Sequence, residues 1–163
     1  GSGADSEHIV GELMKKFKKP RKIKNDVKTA LLSYGKEGEK LSEVLEGTLR
    51  AITLTSNIAL STAFANDKEP SAVFAQQVYG LIDDKDALVA ISTSGSSENC
   101  VLAAVTAKAM GAKVVSLTGK NENKLTKLSD AQIRVPETET FKVQEYHLPV
   151  YHALCAMLEE ENF

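Results

Sequence analysis

A loop dense in hydroxyl groups is the first stretch of the sequence that could do chemistry. Five hydroxyl side chains and one glycine lie in residues 92–98, which read Ser-Thr-Ser-Gly-Ser-Ser-Glu. The loop follows an apolar run, residues 87–91, and precedes a helix-like run, residues 100–110. A strand that turns through such residues into a helix directs hydroxyl groups, backbone N–H groups and the positive helix end toward one point. We therefore predict a phosphate site in this loop.

The loop lacks the patterns of the common nucleotide-binding sites. It contains neither Gly-x-x-x-x-Gly-Lys-Ser/Thr nor Gly-x-Gly-x-x-Gly, which disfavours a nucleoside triphosphate or a dinucleotide as the ligand. A phosphomonoester remains as the predicted ligand. The alternative is an ordinary serine-rich turn that caps the following helix, because serine is favoured in both positions.

The three histidines form the second set of candidate residues. His8 and Glu12 are four residues apart in a helix-like run, so their side chains project from one face. Gln144 and His152 are eight residues apart, close to two helical turns. The two pairs could converge on one divalent metal, and their donors suit zinc, with nickel, cobalt or iron also possible. Taken alone, each pair is more often structural. His147 is a candidate for a supporting, interface or structural role.

Composition describes an ordinary globular chain. The 163 residues suit one domain, with 42% hydrophobic and 26% charged residues. A net charge of -2 argues against nucleic acid or membrane as partners, and the basic segment 15–25 is predicted to be a solvated loop rather than a docking patch. Cys100 and Cys155 lie in apolar helical patterns, which indicates reduced, buried thiols. With no signal peptide or membrane-spanning run, a cytoplasmic location is predicted.

The elements that must position these residues follow from hydrophobic periodicity. The predicted helices are residues 5–17, 26–32, 40–49, 57–65, 72–81, 98–110 and 140–161. The predicted strands are residues 51–54, 87–91, 113–117 and 131–135. Near-continuous apolar strands that alternate with helices are typical of a parallel sheet covered on both faces. The fold class is therefore α/β, a three-layer doubly wound parallel sheet, with ligands expected at the carboxyl ends of the strands.

Five motifs follow one another along the chain: residues 8–13 (His-Ile-Val-Gly-Glu-Leu), 92–97, 117–120 (Leu-Thr-Gly-Lys), 133–136 (Ile-Arg-Val-Pro) and 143–152 (Val-Gln-Glu-Tyr-His-Leu-Pro-Val-Tyr-His). Together they resemble the SIS (sugar isomerase) domain family, and within it the isomerases of sedoheptulose 7-phosphate. The resemblance covers nearly the whole chain, in order and with sensible spacing. It implies a single SIS domain over residues 1–163 and a homotetramer with sites shared between subunits. The implied reaction converts sedoheptulose 7-phosphate to D-glycero-D-manno-heptose 7-phosphate for bacterial surface-heptose synthesis.

The resemblance also assigns residues. The implied zinc ligands are His8, Glu12, Gln144 and His152. The implied substrate-binding residues are Ser2, Asn66, Asp67, Ser92, Thr93, Ser94, Ser97 and Gln144. An aldose–ketose isomerisation through an enediol needs an acid and a base beside the sugar, and Glu12 and His152 are the candidates. The expected partners are a phosphorylated sugar and further copies of the chain.

The chain also departs from the family pattern. The family's first helix and first strand are expected to be missing before Gly1, and residues 18–49 are interpreted as an inserted loop with short helices. Two family aspartates align with Ser56 and Phe141. The alternative function is a sugar-phosphate sensor or a protein that binds the replication initiator, and four intact ligand residues favour the enzyme.

Overall fold

The computed structural model describes residues 1–163 as eight α-helices, one 3-10 helix and three strands. The α-helices are α1 (Ser2–Met14), α2 (Asn25–Leu32), α3 (Gly35–Val44), α4 (Ile58–Asp67), α5 (Val73–Leu81), α6 (Glu98–Ala109), α7 (Lys124–Leu128) and α8 (Thr140–Asn162). The strands are β1 (Ala87–Ile91), β2 (Lys113–Thr118) and β3 (Ala131–Arg134), and the 3-10 helix is Pro70–Ala72. None of the helices is both long enough and apolar enough to cross a membrane.

The three strands form one parallel sheet in the order β1-β2-β3. Ala87 pairs with Lys113 and Val115 pairs with Ala131, which sets the two registers. The central strand β2 has Val114, Ser116 and Thr118 fully inaccessible to solvent on one face and Leu117, 2% exposed, on the other. The α/β class and the parallel sheet are thus confirmed, and each of these strands lies within one residue of its predicted bounds.

The predicted strand at residues 51–54 is wrong. This segment is irregular, and the side chain of Ile52 is 64% exposed. The sheet pairs β2 with β1 and with β3, and neither pairing includes these residues. A short apolar run becomes a strand only when a neighbouring strand accepts its backbone hydrogen bonds.

Asp130 fixes the pairing of β2 with β3. Its backbone N–H donates to the carbonyl of Val114 (2.8 Å), and its carboxylate accepts from the Val114 N–H (2.8 Å). Lys108 adds an ion pair at 2.9 Å. The hydrogen bond from Val114, followed by that from Lys108, lowers the pKa of the Asp130 carboxyl to about 2.

The chain divides into two compact units. The sheet unit comprises residues 1–6 and 54–149, and the helical unit comprises residues 7–53 and 150–163. The core of the sheet unit is built from Val78 of α5, Ala104 of α6, Val114 of β2 and Leu125 of α7. Alanines on α6 allow the helix to approach the sheet closely, and Ala104 and Ala107 are fully buried.

Within the helical unit, two predictions need correction. The helix expected at residues 40–49 lies at Gly35–Val44, and Gly38 lies inside it. A Cβ atom at Gly38 would lie 1.7 Å from the carbonyl oxygen of Leu31, so only glycine allows α2 and α3 to approach this closely. The basic segment is not wholly solvated, because Arg21 is buried.

Smaller differences concern helix ends and cysteines. Helix α1 begins and ends three residues earlier than predicted, and the short helix α7 was not predicted at all. Both cysteines are free, as predicted, although only Cys155 is fully buried while Cys100 is partly exposed. Burial raises the pKa of both thiols.

Candidate functional site

The hydroxyl loop lies in the sheet unit at the carboxyl end of β1, as predicted. Ser92 follows the strand directly, is buried, and extends the sheet by donating its N–H to Leu117 O (3.1 Å). The Oγ of Ser92 accepts from the Gly95 N–H (3.1 Å) and lies 3.0 Å from the Oγ of Ser97. The first and last hydroxyl groups of the loop are therefore held together across its mouth.

Ser97 does not cap helix α6. It occupies the N-cap position, yet its side chain makes no capping hydrogen bond to the helix. Its Oγ is paired with Ser92 instead, while the side chains of Ser94 and Ser97 remain exposed to solvent. An ordinary capping serine would satisfy the first N–H groups of the helix. The arrangement leaves that end of α6 open to an anion, which favours the phosphate interpretation over the capping turn.

Close backbone contacts hold the loop in place. Gly95 has a φ of 63°, and a Cβ atom there would lie 2.0 Å from Cγ of Asn123. The Gly95 carbonyl accepts from Leu125 N (3.0 Å), and the Thr93 carbonyl accepts from Gly119 N (3.0 Å). The loop is thus supported by the segment that follows β2, at the same edge of the sheet.

Asn123 is a supporting residue that the sequence did not indicate. Its side chain accepts from Thr126 N (3.0 Å) as the cap of α7, and its Nδ2 donates to Thr118 Oγ1 (3.2 Å). The pattern of Asn followed three residues later by Thr could have predicted the helix start. Its contact with Gly95 depends on the tertiary fold, which no local pattern gives.

The remaining residues predicted for the substrate lie at separate places in the sheet unit. Ser2 is the first residue of α1, and its neighbour Gly1 is so close to Gln144 that a Cβ atom at Gly1 would lie 2.1 Å from the Gln144 Nε2. Asn66 and Asp67 are exposed at the end of α4. Their side chains take no part in the hydrogen bonds that hold the hydroxyl loop.

Three of the four predicted metal ligands lie in the helical unit. The Nε2 of His8 is 3.3 Å from Oε1 of Glu12, and the rings of His8 and His152 are edge to face with centroids 5.1 Å apart. The Nδ1 of His8 makes a 2.9 Å hydrogen bond with the buried hydroxyl of Tyr151. Tyr151 was not predicted, and its place beside His152 in the sequence was the only available signal.

The cluster of His8, Glu12 and His152 fits zinc in part. Two donors bound to one tetrahedral zinc at about 2.0–2.1 Å lie roughly 3.3 Å apart, which the His8–Glu12 distance matches. The hydrogen bond between His8 Nδ1 and the Tyr151 hydroxyl holds the Nε2 of His8 toward Glu12. A metal-bound His8 would donate its Nδ1–H to that hydroxyl, as metal-binding histidines do to their supporting groups. No group of three or more His, Cys, Asp or Glu side chains is arranged to hold a metal ion. The donor atoms of His8 and Glu12 therefore fit a zinc ion. Gln144, the fourth predicted ligand, belongs to the sheet unit.

His147 is the buried histidine of α8. Neither ring nitrogen has a hydrogen-bond partner of good geometry, and the side chain is inaccessible to solvent. Burial lowers the pKa of His147 below its ordinary value of 6.5, although the backbone of Thr118 and the charge of Asp5 partly oppose this. The imidazole is therefore neutral near pH 7, which agrees with a structural role.

Comparison with known proteins identifies the family. The sequence pattern of the SIS domain matches residues 54–158. The chain belongs to the SIS domain family. A phosphoheptose isomerase of Nitratiruptor is 37% identical over 160 residues, which are 98% of this chain and 72% of that protein. One from Helicobacter pylori is 35% identical over 159 residues, 98% of this chain and 70% of that protein.

Solved structures of phosphoheptose isomerases share this fold. A phosphoheptose isomerase from Francisella tularensis superposes with a TM-score of 0.76 at 29% identity, covering 98% of this chain and 73% of that one. One from Neisseria gonorrhoeae superposes with a TM-score of 0.74 at 28% identity, covering 97% of this chain and 71% of that one. The predicted resemblance and the predicted SIS-type fold are confirmed.

Proposed function

We propose that this SIS protein interconverts sedoheptulose 7-phosphate and D-glycero-D-manno-heptose 7-phosphate. The observation that carries the proposal is the hydroxyl loop, whose Ser97 is turned away from capping α6. Its relatives named phosphoheptose isomerase support the choice of sugar. We treat residues 1–163 as a single SIS domain with an insertion at residues 18–49.

The loop would bind the phosphate of the substrate. Hydroxyl groups of Ser92, Thr93, Ser94 and Ser97 and the open end of α6 offer donors to a phosphomonoester. We also assign substrate contacts to Ser2, Asn66, Asp67 and Gln144. The phosphate is remote from the reacting carbons, so its binding energy serves to hold the sugar in place.

Proton transfer would fall to Glu12 and His152. Moving the carbonyl between C1 and C2 requires that a proton leave one carbon and return to the other through an enediol. The carboxylate of Glu12 is held beside His8 and has only about a sixth of its side chain exposed, which limits competition from water. His152 would move the proton between the two hydroxyl oxygens of the enediol.

We further propose that His8, Glu12, Gln144 and His152 hold one zinc ion. Bound zinc would polarise the sugar carbonyl and stabilise negative charge on its oxygen. The His8–Glu12 distance and the Tyr151 hydrogen bond support this assignment. The proposed assembly is a homotetramer, and the two free cysteines fit the reducing cytoplasm.

The decisive experiment compares Glu12→Gln with the wild type. We expect turnover of sedoheptulose 7-phosphate to fall by about 10²- to 10⁴-fold, because the amide cannot exchange a proton. Metal content should fall less, because the amide oxygen can still coordinate. Glu46→Gln is the matched control, since Glu46 pairs only with exposed backbone and side-chain groups of Lys16.

The result also separates catalysis from packing. If Glu12 only packs, Glu12→Gln would lower the melting temperature and leave normal turnover in the folded fraction. Wild-type turnover in Glu12→Gln would refute its role as catalytic base. A wild type that binds the sugar phosphate without converting it would refute the enzyme and support a sensor.

A further inference from the structure

A buried ion pair in the helical unit has no role in the mechanism above. The Nε of Arg21 lies 2.8 Å from Oε1 of Glu159, and the side chains of both residues are at most 2% exposed. Arg21 belongs to the segment that the sequence predicted to be solvated. Burying two charges is costly unless both are fully hydrogen-bonded, so such a pair calls for an explanation.

Arg21 donates hydrogen bonds to the end of helix α1 that carries Glu12. Its Nη1 donates to the carbonyl of Leu13 (2.6 Å), and its Nη2 donates to the carbonyl of Glu12 itself (3.0 Å). Helix α1 ends at Met14, so both carbonyls belong to the last turn, where no helical N–H is available. A guanidinium group at this end also complements the helix dipole. Arg21 thus supplies donors to the last turn of α1, where the N–H of Leu49 also donates to the Leu13 carbonyl (3.0 Å).

Glu159, which lies on helix α8, links Arg21 to that helix. Its carboxylate accepts from the backbone N–H groups of Phe17 (2.8 Å), Lys18 (2.8 Å) and Lys19 (3.2 Å). Burial alone raises the pKa of Glu159, but the hydrogen bonds from Phe17, Lys18 and Arg21 outweigh it and hold the pKa at about 2. The carboxylate is therefore charged throughout the working range of pH.

The position of Glu159 on α8 relates the pair to the second proposed catalytic residue. His152 and Glu159 are seven residues apart, close to two turns, so they lie on the same face of the helix. The ring of Phe163 covers the guanidinium of Arg21 with 5.0 Å between Cζ and the ring centroid. Arg21 is thus held by Glu159, two carbonyls and an aromatic ring, and has little freedom to move.

We propose that Arg21 and Glu159 are positioning residues that fix the last turn of α1, with Glu12, against the face of α8 that carries His152. The inference rests on the proposed function only in naming Glu12 and His152 as the pair that needs this spacing. Neither Arg21 nor Glu159 is among the residues assigned to the substrate. Their effect is to keep the proposed base and its partner at a constant separation through turnover.

Arg21→Lys is the test variant. The lysine keeps the charge that faces Glu159, but one ammonium group cannot span the two carbonyls as the guanidinium fork does. We expect kcat to fall at least about tenfold, because small displacements of catalytic groups are costly. KM should stay within about twofold, because the predicted phosphate loop lies in the sheet unit.

Two controls separate positioning from stability. Lys19→Ala removes a neighbouring exposed ion pair, Lys19 with Glu160 at 2.9 Å, and should leave kcat unchanged. Val78→Ala creates a cavity in the core of the sheet unit and lowers the melting temperature without touching α1. If Val78→Ala loses as much kcat as Arg21→Lys at an equal loss of melting temperature, the role is merely structural and the inference is overturned. An unchanged kcat in Arg21→Lys would overturn it too.

A second readout is independent of activity. His8 faces Glu12, so a displaced Glu12 should shift the imidazole resonances of His8, one of only three histidines to assign. We expect this shift in Arg21→Lys and not in Lys19→Ala, and its absence would overturn the inference. If the wild type has no isomerase activity and Arg21→Lys still shows the shift, the proposed function is refuted while the positioning role is supported. If Arg21→Lys does not fold, the same measurements of kcat, KM and the His8 resonances on Glu159→Gln test the positioning role instead.

Discussion

An imidazole enclosed without a hydrogen bond makes His147 sensitive to acid. Its pKa in the folded protein lies below 6.5, the ordinary value that applies to the unfolded chain. The unfolded chain therefore binds a proton first as the pH falls. The stabilising contribution of neutral His147 is complete above about pH 6.5 and is lost as the pH falls through the lower, folded-state pKa.

His147→Leu should remove this part of the pH dependence. We expect the free energy of unfolding of the wild type to fall between about pH 8 and about pH 5, and that of His147→Leu to fall less. At pH 8 the variant should be as stable as the wild type or more so, because an unpaired buried polar group costs roughly 1–3 kcal/mol. Urea unfolding at both pH values measures this. An equal fall in both proteins would contradict the assignment.

The two exposed serines at the end of the hydroxyl loop give a matched pair of variants. Ser97→Ala removes a hydroxyl that is paired with Ser92 and is assigned to the phosphate. A hydrogen bond to a charged group contributes about 1.5–3 kcal/mol, so affinity for the sugar phosphate should fall about tenfold or more. Ser96→Ala, at the adjacent position, should leave affinity unchanged in calorimetry. Equal affinities for all three proteins would remove Ser97 from the site.

Residue types and spacing predicted much of the candidate site. The hydroxyl loop and the pairing of His8 with Glu12 were both visible in the sequence, and the structure places them as local patterns require. Arg21, Tyr151 and Asn123 were not visible as contributors, because each acts through a partner distant in the sequence. A run of basic residues predicts a solvent-exposed segment, and the sequence alone does not show that the fold places the buried carboxylate of Glu159 beside Arg21.

At the scale of elements, the tight contact between the hydroxyl loop and the segment before α7 depends on one glycine. Gly95 combines a φ of 63° with a separation that no Cβ atom could occupy beside Asn123. Gly95→Ala should therefore displace the loop, lower stability by about 1–3 kcal/mol and weaken sugar-phosphate binding. Thermal unfolding and calorimetry measure the two effects.

Gly80→Ala is the control for Gly95→Ala. Gly80 lies inside helix α5 and has no heavy atom within 4 Å of the position of an added Cβ. Alanine is favoured over glycine in a helix by about 1 kcal/mol, so this variant should be at least as stable as the wild type. Were both variants equally well tolerated, the loop would not depend on its glycine.

The sequence correctly predicted the three strands that pair in the sheet, and it wrongly predicted a strand at residues 51–54, which has no paired neighbour. The runs that became β1, β2 and β3 are apolar and pair in parallel, whereas residues 51–54 show a similar apolar pattern without any partner in the sheet. Helix α7 is only five residues long, too short for hydrophobic periodicity to reveal. The helix at Gly35–Val44 was mispredicted in part because a glycine inside a helix is unfavourable, and the need for Gly38 comes from the close approach of helix α2.

On the scale of the molecule, a single chain leaves many large apolar side chains uncovered. Tyr34, Ile58 and Met157 are 74%, 71% and 67% exposed, respectively. Since exposed apolar surface favours association, we expect the proposed homotetramer in light scattering at micromolar concentration. A monomer that still turns over sedoheptulose 7-phosphate would contradict shared sites. The α/β class and parallel sheet follow from periodicity, but periodicity carries no information on assembly.

The double contact between Asp130 and Val114 restricts how the chain can misfold. A parallel strand that slips by one residue turns every side chain to the opposite face, and a mainly apolar strand such as residues 114–117 opposes that slip only weakly. Asp130 opposes it, because in any shifted pairing its charged carboxylate would lose the hydrogen bond from the N–H of Val114. One carboxylate at the entrance to β3 thus selects against wrong alignments, and it would act at the moment when β3 joins the sheet.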